Sequence, residues 1–199
     1  MLVHPSSLSR RDQITCVTQL RTQLGRAIFP VHRLDRGASG VLAFALNSEA
    51  AHAWSEIYRR GRVKKSYWVV VRGFAPESGT IDKPIRRANG TEVSALTHWE
   101  RLQTIEHSVA VGRYPTLRYS LLRVEIETGR FHQIRKHLAS LSYPVLGDTW
   151  YGDGKHNRAL RKHFGIHRIL LFSNQMEFGD ARAEISFPEE LEKLGFNLN

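Results

Sequence analysis

The run Ser66-Tyr67-Trp68-Val69-Val70-Val71, aromatic and β-branched after its serine and halted at Gly73, constrains the fold most, because such residues suit a pleated, buried surface. Other stretches agree with it. Tyr119 to Glu127 alternates apolar and polar residues, as a half-buried strand does. Val41-Leu42-Ala43-Phe44-Ala45-Leu46 has no helical period and reads as a buried strand; Leu170-Leu171-Phe172 and Ala183-Glu184-Ile185-Ser186-Phe187 read as late strands. Helices are expected between them. Asn47 or Ser48 caps one that runs from Glu49 to Arg60 and meets Gly61 at its C′ position, and Thr128-Gly129 turns the chain into another from about Phe131 to Ser140. Strands outnumber helices without alternating with them. That pattern predicts an α+β chain with a mixed, mainly antiparallel sheet and flanking helices, and it argues against a Rossmann arrangement.

No repeat or long Pro/Gly/Ser linker divides the 199 residues, so they read as a single catalytic domain, 1–199. The one cysteine, Cys16, excludes an intramolecular disulfide or a multi-cysteine zinc ribbon and suggests a reducing, cytoplasmic setting. No apolar run reaches the ~20 residues of a membrane span, and Met1-Leu2-Val3-His4-Pro5 does not read as a signal peptide. A membrane partner is therefore not expected, and the oligomeric state is left open.

The net charge is +10, unevenly spread: residues 1–176 carry 27 basic and 13 acidic side chains, residues 177–199 only 2 basic and 6 acidic. Two blocks contain no acid at all. Arg59 to Gly73 holds Arg59, Arg60, Arg62, Lys64, Lys65 and Arg72, while Lys155 to Arg168 holds Lys155, Arg158, Arg161, Lys162 and Arg168. Such blocks can be solubilising surface. Interleaved with Tyr67, Trp68, Trp150, Tyr151 and Phe164, they resemble a surface that combines stacking with phosphate charge, as RNA requires.

Chemistry concentrates in two segments. Val31-His32-Arg33-Leu34-Asp35-Arg36-Gly37-Ala38-Ser39-Gly40 sets a carboxylate between two guanidinium groups, either as a surface ion pair or as a carboxylate displayed on a glycine-bounded loop. Thr128-Gly129-Arg130-Phe131-His132-Gln133-Ile134-Arg135 is a second arginine-rich turn and helix start. Together they can bring one carboxylate under several cations. His132 and His137 lie five apart and do not share a helix face, so no metal site is read there. His32 and His132 are expected to orient loops through hydrogen bonds. Gly73, Gly129 and Gly147 read as turn glycines.

His32-Arg33-Leu34-Asp35-Arg36 with Ser39-Gly40, then Lys65-Ser66-Tyr67, then Thr128 to Arg135 followed by Pro144-Val145-Leu146-Gly147-Asp148 resemble the ordered motifs of RluA-type RNA pseudouridine synthases, from His4 to about Phe178. Gly112-Arg113-Tyr114-Pro115-Thr116 and the stretch from Gly152 through Gly165 most resemble the branch known as tRNA pseudouridine-65 synthase. The resemblance implies the pseudouridine synthase fold and an isomerase that needs no cofactor. It detaches uracil from ribose C1′, turns it and rejoins it through C5.

By the same resemblance Asp35 is the catalytic carboxylate, Arg135 its ion-pair partner, Tyr67 the platform on which uracil stacks, and Arg33 the wedge that fills the stack when the base flips out. These roles are chemically coherent. Burial beside a base disfavours a charged carboxylate, and a facing guanidinium offsets that loss. Stacking holds a freed base by roughly 1–3 kcal/mol without fixing its in-plane angle. The residues do not decide whether Asp35 attacks C1′ or C6 or removes the 2′ proton. Arg36, Arg62, Lys64, Lys65, Arg130, His132, Gln133, Lys155 and Arg158 complete the expected RNA-binding set, with Arg130 and Gln133 equally able to brace the Asp35 loop. The expected substrate is tRNA; large-subunit rRNA, or RNA binding without catalysis, are the alternatives. Relative to the family an amino-terminal strand and its Lys-Pro turn are missing before Leu2-Val3-His4-Pro5, which predicts an open sheet edge or one uncovered side of the cleft.

Overall fold

The computed structural model describes residues 14–198; Met1-Leu2-Val3-His4-Pro5, where the resemblance begins, lies outside the described residues. In chain order the elements are α1 (Cys16–Leu24), β1 (Phe29–Pro30), β2 (Ser39–Gly40), β3 (Phe44–Ala45), α2 (Ser48–Arg59), β4 (Val63–Arg72), β5 (Ser78–Asp82), β6 (Ile85–Arg86), β7 (Glu92–Val93), β8 (Leu96–His107), β9 (Leu117–Ile126), α3 (Gln133–Ser140), α4 (Gly154–Phe164), β10 (Leu171–Phe178), β11 (Ala181–Glu184) and α5 (Glu189–Lys193). The main sheet runs β11-β10-β4-β9-β8-β5, all antiparallel neighbours, with β2 joining β10 in parallel. The expected α+β fold with a mainly antiparallel sheet is what forms. Among the described residues no helix is long and apolar enough to cross a membrane.

Strand β4 sits at the centre because both its faces are apolar, and its two-residue period sorts the core. Tyr67, Val69 and Val71 pack with Leu122, Val124, Ile134, Leu138 and Leu171 on the face covered by α3. Val70 packs with Tyr119, Leu121, Leu160, Phe172, Leu191 and Phe196 on the face covered by α4 and α5. Val69, Val70 and Val71 are fully buried, each worth about 1.5–3 kcal/mol of apolar transfer.

The helix ends follow local chemistry. The Asn47 side chain accepts from the Ala50 amide at 2.7 Å and starts α2. Asp153 caps α4 by accepting from the Lys155 and His156 amides, and left-handed Gly165 closes it.

Two expectations are corrected. Val41 to Leu46 is not a continuous buried strand: only Phe44–Ala45 pairs, with β1, and Leu46 is half exposed. The reason lies in its amides, since Val41 N–H goes to the Ser173 carbonyl at 2.8 Å and Ala43 N–H to the His32 ring at 2.9 Å. The last strand stops at Glu184, and Ile185 N–H turns back to the Asn174 carbonyl at 3.0 Å.

Candidate active site

The Asp35 loop reaches β4 through a close backbone approach. Gly40 has φ +119°, and a Cβ there would lie 2.1 Å from the Ser173 carbonyl oxygen, so only glycine lets β2 dock on β10. Ser173 is in turn paired with Tyr67 across β10 and β4. Gly40 therefore brings the loop alongside Tyr67. Arg168 holds the loop from behind by donating to the Gly37 carbonyl at 2.9 Å and pairing with Glu190 at 3.3 Å.

The first turn of α3 supplies the cation. Arg135 Nη1 donates to Asp35 Oδ2 at 3.2 Å, while its Nε and Nη2 donate to Asp148 Oδ2 and Oδ1 at 2.8 and 2.7 Å. Asp148 Oδ1 also accepts from the Trp150 and Tyr151 amides at 2.8 and 3.1 Å. Burial opposes the charge on Asp148, but the hydrogen bonds from Arg135 and from those amides outweigh it and hold its carboxyl below the usual range. With side chains 7% and 0% exposed, Arg135 and Asp148 form a fixed two-pronged pair, and the remaining prong of Arg135 is presented to Asp35.

His132 stands next to the pair in a left-handed conformation, φ 55°, with Nε2 4.0 Å from Asp35 Oδ2 and Nδ1 3.2 Å from the Tyr151 hydroxyl. Burial lowers its pKa, Asp35 and Asp148 partly restore it, and Arg135 and Lys136 depress it further, so the ring facing Asp35 is a neutral imidazole.

Asp35, Tyr67, His132, Tyr58, Lys65 and Phe131 line a cleft of about 310 Å³, a volume in the range of small-ligand sites. Tyr67 is 7% exposed. Burial raises its pKa, and the neighbouring Tyr58 and Asp35 raise it further, so it remains a neutral phenol suited to stacking and hydrogen bonding. Arg33 is exposed at the rim, its guanidinium 5.6 Å above the Phe131 ring, and Phe131 stacks on His132 at 3.7 Å.

The structure thus brings Asp35, Tyr67, Arg135, Arg33, Lys65, Arg130 and His132 to one place. Gln133 is there too, but as a brace. Its carbonyl accepts from the Thr128 hydroxyl and the Arg130 amide, and its amide donates to the Leu96 carbonyl and Thr97 Oγ1, which leaves no group for RNA. Arg36, Arg62 and Lys64 are exposed. Lys155 and Arg158 are exposed on α4, which packs on the sheet face opposite Tyr67, so they do not line the cleft. The Arg59 to Gly73 block is not one uniform surface: Arg59 pairs with Glu56, Arg72 with Asp153, and Lys65 turns inward.

Residues 1–140 match the family described as RNA pseudouridylate synthase. This chain belongs to that family. It is 37% identical over 189 residues to a tRNA pseudouridine synthase C of Vibrio cholerae, covering 89% of this chain and 78% of that protein. Its identity to the Haemophilus ducreyi protein of the same name is 37% over 204 residues, covering 98% and 81%. With the one from Pectobacterium carotovorum it is 38% over 187 residues, and the chain spans 50% of that relative's length. Two solved structures share the fold. Human RNA pseudouridylate synthase domain containing 1 gives a TM-score of 0.71 at 24% identity, covering 94% of this chain and 82% of the other; domain containing 4 gives 0.73 at 22%, covering 100% and 87%.

In this family member three site residues carried no legible role in the motifs. Asp148 was visible only as the end of Pro144-Val145-Leu146-Gly147-Asp148. Tyr58 carried no signal beyond its place near the end of a predicted helix. Phe131 lay within a recognised motif, yet nothing in the sequence placed it under Arg33.

Proposed function

We propose that this chain isomerises uridine to pseudouridine in tRNA, with position 65 as the target that the resemblance indicates. The observation that carries the reading is the buried Asp148–Arg135 pair offering one guanidinium prong to Asp35 at the edge of a cleft beside Tyr67. In the net reaction the C1′–N1 bond breaks, a C1′–C5 bond forms, C5 gives up a proton and N1 gains one. Nothing is oxidised and no group is lost, so acid, base and stacking groups suffice. Asp35 is the carboxylate that works at the sugar or base, Arg135 fixes its orientation, and Tyr67 lies under the uracil while it turns. A target base is inaccessible inside a stacked helix, and Arg33, exposed at the rim, is placed to fill the gap it leaves.

Tritium release from tRNA transcribed with 5-tritiated uridine tests the reading. Wild-type chain is expected to release tritium, and Asp35→Asn to fall to background. Release by Asp35→Asn at the wild-type rate refutes the assignment. Mapping the product by carbodiimide modification and primer extension identifies the RNA and the position.

A further inference from the structure

Two buried cations belong to this cleft, and only one has its acceptors. Arg135 donates three hydrogen bonds, one to Asp35 and two to Asp148. Lys65 precedes Tyr67 by two residues on β4, so both side chains stand on the same face of the sheet. It is 6% exposed and lines the cleft together with Asp35 and Tyr67. Its ammonium sits 4.2 Å from the centroid of the Tyr58 ring. Among the described residues it has no hydrogen-bond or ion-pair partner; besides that ring only the neutral His32 feels its charge, and burial is what lowers its pKa. An ammonium carries three donors, and a ring face cannot satisfy them. The donors that the ring does not take up open onto the cleft. An acceptor on a substrate bound in the cleft can therefore reach them.

Its position selects which acceptor. Arg62 and Lys64 are exposed and do not line the cleft, whereas Lys65 is on its inner wall beside the residue on which uracil stacks. When C1′–N1 breaks, the electron pair of that bond moves onto uracil and spreads over N1 and both carbonyl oxygens. We propose that Lys65 Nζ donates a hydrogen bond to a uracil carbonyl oxygen and stabilises the charge that the base takes on as it leaves C1′. The inference rests on the isomerase reading above. Lys65 transfers no proton in this step; it supplies a fixed positive donor in a site of low dielectric.

The Tyr58 ring from α2 lies over the ammonium, and the other titratable or charged groups lining the same cleft are His32, Arg33 and Asp35 from the loop between β1 and β2, Tyr67 on its own strand, and Arg130 and His132 from the turn before α3; its register partner on β10 is the uncharged Met176. His32 is itself held neutral, down to about 4, by burial and by the Lys65 charge. Burial lowers Lys65 to about 8. The charged donor is therefore present below pH 8 and lost above it, and kcat/KM, which reports the free enzyme, is expected to fall as pH rises through about 8.

Single-turnover tritium release and filter binding with the full chain and tRNA test this, using Lys65→Met and Lys65→Arg. Lys65→Met is expected to slow the single-turnover step by about 100-fold while leaving RNA affinity unchanged. Lys65→Arg keeps a charge that does not titrate, so its slower reaction is expected to lack the decline above pH 8. A wild-type rate in Lys65→Met overturns the proposal, as does weakened affinity at an undiminished single-turnover rate, which would mark a phosphate-binding role. A decline that persists in Lys65→Arg also counts against it, because a group other than Lys65 then titrates. Should the variants fail to fold, a wild-type kcat/KM that stays flat through pH 8 is decisive against it. Failure of the isomerase reading looks different, because the wild-type chain then makes no pseudouridine in any RNA.

Discussion

The two faces of the sheet are both basic, yet they hold charge in opposite ways. On the cleft face, Arg135 is buried at 7% side-chain exposure between two carboxylates and has one geometry. On the other face, α4 carries Lys155, Arg158, Arg161 and Lys162 into solvent while burying Ala159 and Leu160. A charge in the first setting is poorly screened and strongly oriented. One in the second is screened within about 8 Å at physiological salt and adds little to stability. The same residue type thus fixes the Asp35 carboxylate on one side and is suited to holding a polyanion loosely on the other.

The comparison is broken most severely by removing the Arg135 anchor. Asp148→Ala leaves a buried guanidinium with only Asp35, and is expected to lower stability by about 3–5 kcal/mol in urea unfolding and to remove tritium release. A loss confined to the range of surface pairs would mean that the network is looser than its geometry. Next in size is Arg33→Ala, expected to reduce turnover on folded tRNA far more than on an unstructured strand containing the same uridine. Equal losses on both would remove Arg33 from the role of wedge.

The solvent-facing side should answer differently. Replacing Lys155, Arg158 and Arg161 together with glutamine is expected to weaken RNA binding and to lower the slope of log affinity against log salt by about 0.7–0.9 for each phosphate no longer neutralised, with the saturated single-turnover rate unchanged. An unchanged salt slope would show that α4 does not meet RNA.

The smallest effect concerns His32. Its pKa is lowered from 6.5 to about 4 by burial first and by Lys65 second, so unfolding takes up a proton between those values. Stability is then full above about pH 6.5 and lost as pH falls toward 4. His132, His137 and His156 are lowered in the same direction, each by burial first, and share that slope. His32→Gln, which can still accept from the Ala43 amide, is expected to flatten only part of the acid-side decline in melting temperature. A melting profile identical to wild type from pH 4 to 6.5 would contradict the burial of this ring.

Much of this was legible locally. Ser66 to Val71 declared β4, Asn47 and Gly61 bounded α2, and the spaced motifs pointed to Asp35, Tyr67 and Arg135. Elements with irregular patterns were harder. β8 slips register between Arg101 and Gln103, which destroys a clean alternation, and α4 was hidden because its basic residues were read as charge, although Asp153 and Gly165 are ordinary end signals. Val41 to Leu46 misled because Val41 and Ala43 pack in the Trp54 cluster while only Phe44–Ala45 joins a ladder.

By itself the sequence determined the strand-forming segments, the caps, the basic surplus and the reactive residue types, because each depends on neighbours a few positions apart. The tertiary structure decided which charges are inside. Asp35 meets Arg135 across 100 positions, and Gly40 meets Ser173 only because β2 docks on β10. Lys64 and Lys65 are adjacent in sequence yet face solvent and cleft respectively. Burial of a charge and the identity of its partner are properties of packing, and packing is fixed only when distant strands pair.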